Sequence, residues 1–345
     1  MKAKKRLFAG MLALAMLLSL NVTAFASEEP PYRDDASVTV TKEYQIVNDG
    51  TFAPKEDFTL EVVNSKLLDG EAEVIPALGI SAASFTEPVN QTSEAVFTIT
   101  LPVYERVGIY EYELKENVPD VETAGVTYDV NDTSIFMKVT VVRQDGELVR
   151  VVSLRENKED GVNVKYDDVL NPATITNKYE AGSLTVAKNV TGLLGDTEKY
   201  FTFKVTVNNP AGKTAPESYT VDISDAAGDE GHVNPSTIEA GKETTFWLKS
   251  GDEIVINNLP YGVTYTTSEV ETNTDGYETT CEDSDTTNDN TIDEAETTIT
   301  YTNSKGAGQE IDTGVYLDNL PYIIVFAGVL AAVAVLVIRR RRVDD

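Results

Sequence analysis

Two lysines occupy positions where a β-strand would bury an apolar side chain. The stretch SVTVTKEY alternates apolar and polar residues, and its lysine, Lys42, falls in phase with two valines. The stretch SLTVAKNV repeats this pattern later in the chain, with Lys188 in phase with Leu184 and Val186. Alternation of this kind predicts half-buried strands. Each lysine is therefore expected on the buried face of its strand.

A glutamate and an asparagine accompany each lysine by the same argument of phase. Glu116 ends the strand-like stretch IYEYELKE, and Glu269 ends VTYTTSE. Asn177 and Asn303 end ATITN and TITYTN in the same way. For one such residue alone, an ordinary ion pair at a strand end is the simpler interpretation, because charged residues are rarely buried. The same three residue types, in the same order in both halves of the chain, favour a shared chemical role.

The chemistry that suits these three residue types is a self-formed amide crosslink. Burial disfavours charge, so it lowers the pKa of a lysine and raises the pKa of a glutamate. The neutral amine is then a nucleophile, while the protonated glutamate hydrogen-bonds the asparagine oxygen and passes a proton to departing ammonia. We therefore predict an isopeptide bond in each half of the chain, formed without a cofactor. Because each site reacts only once, we predict that the protein is not an enzyme with turnover.

The rest of the chain is predicted to be all-β. Threonine, valine and tyrosine dominate short apolar segments separated by Gly, Asn and Asp, which is typical of β-sandwiches. No long stretch has the period of a helix. The predicted strands lie at residues 38–44, 57–63, 95–101, 108–115, 133–142, 148–154, 173–178, 184–190, 199–208, 217–223, 244–249, 253–257, 262–269 and 297–303.

The strands form an internal repeat that predicts two tandem Ig-like β-sandwich domains. VTVTKEY and LTVAKNV open the two copies, and ATITNKY and TITYTNS close them. We place the first domain at residues 38–180 and the second at residues 183–304, after an acidic N-terminal tail at residues 27–37. Only the linker YEAG lies between the copies, so they are expected to stack end to end with limited freedom.

Both ends of the chain carry export signals. Basic residues, an apolar run and a small-x-small site predict an N-terminal signal peptide, residues 1–26, cleaved between Ala26 and Ser27. Residues 305–345 are interpreted as a linker, a sorting motif, a transmembrane span and a basic tail that includes four arginines. Because the arginines stay on the cytoplasmic side, the two domains are expected outside the cell.

Composition excludes several classes of function. The formal net charge of −29 argues against nucleic-acid or anionic-lipid partners. With one cysteine and one histidine, the chain has no internal disulfide and no multi-histidine metal site. The acidic stretch 283–294 has oxygens at the spacing of a calcium-binding EF-hand loop, but Asn288 replaces its central glycine and strands flank it. We interpret it as a solvated loop and predict no metal site.

Together these motifs resemble the FctA-type (T-antigen) backbone pilins of Gram-positive bacteria. The resemblance rests on the repeated Lys, Glu and Asn, the openings VTVTKEY and LTVAKNV, the middle stretches IYEYELKE and VTYTTSE, and the ITxTN ending. It extends to the C-terminal signal. It implies Ig-like domains with internal isopeptide bonds, each assisted by a glutamate. The implied bonds are Lys42–Asn177 with Glu116, and Lys188–Asn303 with Glu269.

The same resemblance extends to the sorting motif. EIDTG, residues 310–314, is similar to the EVPTG motif of that family, with isoleucine and aspartate in place of valine and proline. A sortase would cleave between Thr313 and Gly314 and transfer Thr313 to an amine; a plain membrane anchor with an accidental Thr-Gly pair is the alternative. The acceptor is expected late in the first domain, where Lys165 is the nearest candidate and Lys158 the next. An ordinary solvated lysine is the alternative for either residue.

The predicted function is that of a pilus shaft subunit, a structural protein of the Gram-positive cell surface that is joined covalently into a polymer and anchored to the cell wall. Its expected partners are a sortase, copies of itself in a head-to-tail polymer, and peptidoglycan or a basal pilin. A monomeric wall-anchored adhesin is the alternative. An extracellular enzyme is disfavoured, because no turnover site is evident in the sequence.

Overall fold

The computed structural model of the chain describes residues 32–306, apart from residues 73, 158–162, 166–172, 225–230, 286 and 288. All regular secondary structure in these residues is β-strand, which confirms the predicted all-β class. None of them forms a helix long and apolar enough to cross a membrane. The predicted signal peptide and the apolar segment before the four arginines lie outside the described residues.

The first module is a sandwich of two sheets. Its described strands are β1 (Ser37–Ile46), β2 (Glu56–Gly70), β3 (Gly79–Ile80), β4 (Ala83–Phe85), β5 (Ser93–Thr100), β6 (Gly108–Asn117), β7 (Val126–Thr127), β8 (Ser134–Gln144), β9 (Glu147–Asn157), β10 (Asn163–Lys165) and β11 (Thr174–Tyr179). One sheet has the order β3-β5-β1-β11-β7, and the other has the order β10-β9-β8-β6-β2-β4. The first and last strands, β1 and β11, are therefore neighbours.

The second module repeats this arrangement with its own two sheets. Its described strands are β12 (Ala181–Thr191), β13 (Phe201–Asn208), β14 (Ser218–Ile223), β15 (Thr237–Glu239), β16 (Thr244–Leu248), β17 (Glu253–Pro260), β18 (Thr264–Glu269), β19 (Glu278–Asp283) and β20 (Glu296–Ser304). One sheet has the order β15-β14-β17-β12-β20-β19, and the other has the order β16-β13-β18. Here too the first and last strands, β12 and β20, are neighbours.

Alternating sequence builds each sandwich. Along β12 and β20 nearly every second side chain is buried, including Leu184 and Val186 on β12 and Ile299 and Tyr301 on β20. These side chains join a core cluster within the second module, and the inward side chains of the first module form a separate cluster. Burial of this apolar surface stabilises each module through its own core.

The structure contains all the strands predicted from the sequence and six that the sequence analysis missed. The missed strands are β3, β4, β7, β10, β15 and β19. Most of these have only two or three residues, too few to show alternation. The longer β19, with the sequence ETTCED, is an edge strand whose side chains are mostly exposed, so it carries no apolar period.

The pairing of the first and last strands is parallel in both modules. Lys42 lies opposite Ile175, and Lys188 lies opposite Tyr301. An asparagine follows two residues beyond each of these partners on the last strand. Residues two apart on a strand point to the same face of the sheet. The fold therefore brings the lysine and the asparagine of each module to the same buried face of neighbouring strands.

One residue and a set of hydrogen bonds join the modules. Only Glu180 separates β11 from β12, so the connection is shorter than the predicted YEAG linker. The backbone N–H of Phe52 donates to Asn258 Oδ1 at 2.7 Å, and Asn258 Nδ2 donates to the Phe52 carbonyl at 3.0 Å. Asn48 Nδ2 donates to the Ala181 carbonyl at 2.8 Å. These contacts restrict the freedom of one module relative to the other.

Part of the acidic N-terminal segment also belongs to the folded first module. Asp34 forms an ion pair with Arg150 at 2.5 Å and accepts a hydrogen bond from its backbone N–H at 2.8 Å. Asp35 Oδ2 accepts from the Val152 backbone N–H at 3.0 Å. From residue 32 onward, the segment therefore packs against β9 and is not a free tail.

Loss of the Asn258 side chain should loosen the joint between the modules. Asn258→Gly removes both hydrogen bonds to Phe52 and keeps the left-handed backbone, φ 56°, which glycine tolerates. Each bond contributes about 1 kcal/mol net, so orientations that the native joint excludes should become at least about tenfold more populated. Distances between spin labels on Cys281 and on Ser84→Cys, one exposed position in each module, should broaden.

The matched control for this experiment is Asn257→Ala. That change removes a hydrogen bond to Asp222 at 2.9 Å inside the second module and should leave the distance distribution narrow. A distribution that stays unchanged in Asn258→Gly would show that these two bonds do not restrict the joint.

Candidate functional site

Lys42, Glu116 and Asn177 meet inside the first module. Lys42 comes from β1, Asn177 from the neighbouring β11, and Glu116 from β6 in the facing sheet. Lys42 Nζ donates to Glu116 Oε2 at 3.0 Å, and Asn177 Nδ2 donates to Glu116 Oε1 at 2.8 Å. The side chains of Lys42 and Glu116 are 0% and 1% exposed. The contact therefore lies in the core and not at a solvent-exposed strand end.

Lys188, Glu269 and Asn303 form the same arrangement in the second module. The lysine and the asparagine come from the neighbouring strands β12 and β20, and the glutamate comes from β18 in the facing sheet. Lys188 Nζ donates to Glu269 Oε2 at 2.8 Å, and Asn303 Nδ2 donates to Glu269 Oε1 at 2.5 Å. The side chains of Lys188 and Glu269 are both 0% exposed.

An aromatic ring lies beside each lysine nitrogen. Lys42 Nζ is 4.7 Å from the centroid of the Phe58 ring, and Lys188 Nζ is 4.3 Å from the centroid of the Phe201 ring. A ring face attracts a cation without hydrating it. Each ring therefore packs beside an amine whose lysine side chain is fully buried.

Burial controls the protonation of these groups. It lowers the pKa of Lys42 to about 8, against the opposing attraction of Glu116. It raises the pKa of Glu116 and lowers the pKa of Lys188. These shifts move both lysines and Glu116 toward their neutral forms. A neutral amine is the form of lysine that attacks a carbonyl carbon.

Each glutamate contacts the nitrogen of its asparagine, whereas we expected a hydrogen bond to the amide oxygen. In both modules the asparagine donates through Nδ2 to the glutamate Oε1. One carboxyl group therefore contacts both nitrogen atoms that the predicted reaction involves, the attacking Nζ and the departing Nδ2. That geometry suits proton transfer from the first nitrogen to the second.

The amide oxygens of the two asparagines have different surroundings. The backbone N–H of Asp129 donates to Asn177 Oδ1 at 2.6 Å. Asn303 Oδ1 is buried and has no hydrogen-bond partner among the described residues. Sequence reasoning missed Asp129, because the direction of a backbone N–H depends on the conformation of the loop and not on the type of residue. The signal that could have pointed to it is the turn-forming run YDVNDT.

The structure describes only one of the residues predicted for export and polymerisation. Lys165 ends β10, an edge strand, and pairs with Arg155 of β9. The other predicted residues lie outside the described part of the chain: Lys158, Ala26, Ser27, Thr313 and Gly314.

A buried aspartate organises the acidic stretch 283–294. Asp285 Oδ1 accepts from the Thr287 backbone N–H at 2.8 Å, and its Oδ2 accepts from the Asn290 backbone N–H at 2.8 Å. Both carboxylate oxygens of Asp285 therefore accept hydrogen bonds from the backbone of the loop. The described residues include no group of three or more His, Cys, Asp or Glu side chains placed to hold a metal ion.

The chain is similar in sequence to known proteins over both modules. Residues 38–180 match the family described as Spy0128-like isopeptide containing domain, and residues 182–305 match a domain of unknown function, DUF7601. A curated protein named Pilin, from Streptococcus pyogenes serotype M1, is 28% identical over 308 residues. The match covers 84% of this chain and 86% of that protein.

Solved structures show the same relationship. The crystal structure of the major pilin from Streptococcus pyogenes is 27% identical, covers 79% of this chain and 99% of that chain, and has a TM-score of 0.52. A second major pilin of that species is 23% identical, covers 79% of this chain and 98% of that chain, and has a TM-score of 0.51, which supports the fold. Residues 38–180 therefore match the Spy0128-like isopeptide containing domain, and the chain is similar over most of its length to proteins named pilins.

Proposed function

We propose that the chain is the shaft subunit of a covalent pilus on the surface of a Gram-positive bacterium. The observation that carries this proposal is the buried lysine, glutamate and asparagine set, which occurs in both modules where the first and last strands meet. Similarity to proteins named pilins, over most of this chain and most of theirs, supports the same conclusion. A structural role in a polymer accounts for a site that reacts once.

Within each module the lysine and the asparagine are proposed to become one amide. The neutral lysine Nζ forms a bond to the asparagine Cγ, the bond from Cγ to Nδ2 breaks, and the nitrogen leaves as ammonia. The glutamate takes the proton that Nζ releases and supplies the proton that Nδ2 needs, so it is unchanged at the end. The proposed bonds are Lys42–Asn177, assisted by Glu116, and Lys188–Asn303, assisted by Glu269.

The crosslink of the second module would lie where a stretched subunit is pulled. Strand β12 continues directly from the first module, and β20 leads toward the sorting motif. An amide between these two neighbouring strands carries tension through covalent bonds, so the hydrogen bonds of the ladder need not resist it. The bond would also close the long loop between Lys188 and Asn303. By analogy with the loop entropy of disulfides, this would stabilise the second module by roughly 5 kcal/mol.

Export and anchoring are proposed to follow the predicted organisation of the chain. A signal peptidase removes residues 1–26, and a sortase cleaves between Thr313 and Gly314. The sortase then joins Thr313 to a lysine of the next copy or, at the base of the fibre, to peptidoglycan or a basal pilin. Lys165 is the proposed acceptor, because it ends an edge strand of the first module. The buried Lys42 and Lys188 are used by the internal bonds.

The measured mass of the exported protein should be lower, by two ammonia molecules, than the mass calculated from the sequence of the exported chain, because each crosslink expels one. Glu116→Ala and Glu269→Ala should each restore one ammonia, because proton transfer between the nitrogens is lost. Intact-mass spectrometry measures both effects. Glu111→Ala is the matched control, since Glu111 is also buried on β6 and paired with a lysine, Lys66, at 2.8 Å. The full sequence mass in the unmutated protein would refute the crosslinks.

Crosslinking in the first module should have a bell-shaped pH profile with its alkaline limb near pH 8. The reactive state of the Lys42–Glu116 pair holds one proton, with a neutral amine beside a protonated acid. Above about pH 8 the pair loses that proton, and below the raised pKa of Glu116 the lysine is protonated as well. The rate of ammonia loss during refolding of unreacted chain measures the profile. A rate that keeps rising in alkali would show that the acid is not needed.

Lys165→Arg should abolish the ladder of covalent polymers that cell-wall extracts give on a denaturing gel. Arginine keeps the positive charge, but its guanidinium stays protonated and does not accept the acyl group. Lys138→Arg, an exposed lysine on β8 of the same sheet, is the matched control and should leave the ladder intact. A ladder that survives in Lys165→Arg would move the acceptor elsewhere. A single band from the wild type would favour a monomeric adhesin.

A further inference from the structure

The first module presents a hydrogen-bond donor to the atom at which negative charge develops during crosslinking. Attack of Lys42 Nζ on the Asn177 Cγ turns the carbonyl oxygen, Oδ1, into an oxyanion. The backbone N–H of Asp129 already donates to that oxygen at 2.6 Å. Donors preorganised in this way stabilise tetrahedral intermediates of acyl transfer.

A break in the strand beside β11 turns this N–H inward. Strand β7 pairs with β11 but ends two residues before Asp129, which has a left-handed backbone, φ 34°. Asp129 Oδ2 accepts the Thr133 N–H at 2.6 Å, and the Val130 N–H returns to the Thr176 carbonyl of β11 at 3.1 Å. The turn is therefore held at both sides while the N–H of Asp129 points at Asn177.

In the second module the corresponding strand is continuous. Strand β19 runs past the asparagine of β20, with Thr279 opposite Asn303 and Thr280 opposite Thr302. The backbone N–H groups of a paired strand lie in the plane of the sheet and face neighbouring backbone, not the side chains above it. Asn303 Oδ1 is accordingly buried without a hydrogen-bond partner in the described part of the chain.

The remaining parts of the two sites are closely matched. The lysine-to-glutamate distances are 3.0 Å in the first site and 2.8 Å in the second. The asparagine-to-glutamate distances are 2.8 Å and 2.5 Å, and the amine-to-ring distances are 4.7 Å and 4.3 Å. By each of these measures the second site is the tighter one. A faster reaction at the first site would therefore not follow from these contacts.

We propose that the backbone N–H of Asp129 is the oxyanion donor of the first crosslinking site, and that the first bond forms faster than the second for this reason. The inference rests on the proposed crosslinks. The Nζ lone pair bonds to Cγ while the carbonyl pair moves to Oδ1 beside the Asp129 N–H. When that pair returns, the bond to Nδ2 breaks, ammonia leaves with a proton from Glu116, and Glu116 takes a proton from Nζ. Loss of one such donor costs about 10²–10³-fold in rate, so the first bond should form at least about tenfold faster.

Both rates can be measured in the same chain. Unreacted full-length chain is unfolded in guanidinium and refolded by dilution, and samples quenched over time are digested for mass spectrometry of the two crosslinked peptides. The Lys42–Asn177 peptide should accumulate at least about tenfold faster than the Lys188–Asn303 peptide. Equal rates, or a faster second bond, would overturn the inference and leave the crosslinks standing. Absence of both peptides would refute the proposed crosslinks instead.

Two substitutions distinguish the contribution of the Asp129 N–H to the crosslinking rate from the contribution of its carboxylate. Asp129→Asn keeps the oxygen that accepts the Thr133 N–H and tolerates a left-handed backbone, so the first rate should be retained. Asp129→Ala loses both properties, so the rate of the first bond should fall toward the rate of the second bond. The second bond is the internal reference in the same chain. Equal slowing by both variants would assign the effect to the carboxylate charge and overturn the proposal.

A backbone ester gives the sharpest test and does not depend on the fold of the alanine variant. Incorporating the α-hydroxy acid analogue of aspartate at position 129 during cell-free translation replaces the N–H with an oxygen and leaves the side chain intact. The first bond should then form about as slowly as the second. An unchanged first rate in the ester chain would overturn the proposal.

Discussion

The buried contact between a lysine and a glutamate is the constraint on which the rest of the structure depends. Moving two charges into an apolar interior costs several kcal/mol per ion, and the paired side chains have at most 1% exposure. An amide in place of the amine would remove the lysine charge from the core. The unreacted pair therefore stores free energy that crosslinking would release.

Strand topology determines when this contact forms. Parallel neighbours cannot be joined by a tight hairpin, and all the other strands of each module lie between its first and last strands in the sequence. The glutamate comes from the facing sheet, so all three groups assemble only when the sandwich closes. If the proposed crosslinks form, this requirement would delay their chemistry until the module is built and would protect an unfolded chain from wrong crosslinks.

Strand period placed Lys42, Glu116 and Asn177 and their counterparts on buried faces, because a period of two dictates which side chains share a face. The repeat of the three residue types in both halves of the chain was needed to group them into one site. Loop conformation was beyond that argument. The aim of the Asp129 N–H depends on one left-handed residue, and the orientation of the asparagine amide depends on which hydrogen bonds compete for it. The period also failed where no apolar face exists, as in the exposed strand β19. The linker was overestimated because both of its flanks continue the strands.

The one-residue connection at Glu180 has a consequence for the mechanics of a fibre. Reciprocal hydrogen bonds between Asn258 and Phe52 connect the two modules and would favour their movement together, as one short rod. If such rods polymerise head to tail, thermal bending concentrates at the junctions between copies, once per subunit and not twice. The persistence length of the fibre would then be set by the contact between neighbouring copies, and its flexible points would recur at intervals of one whole subunit.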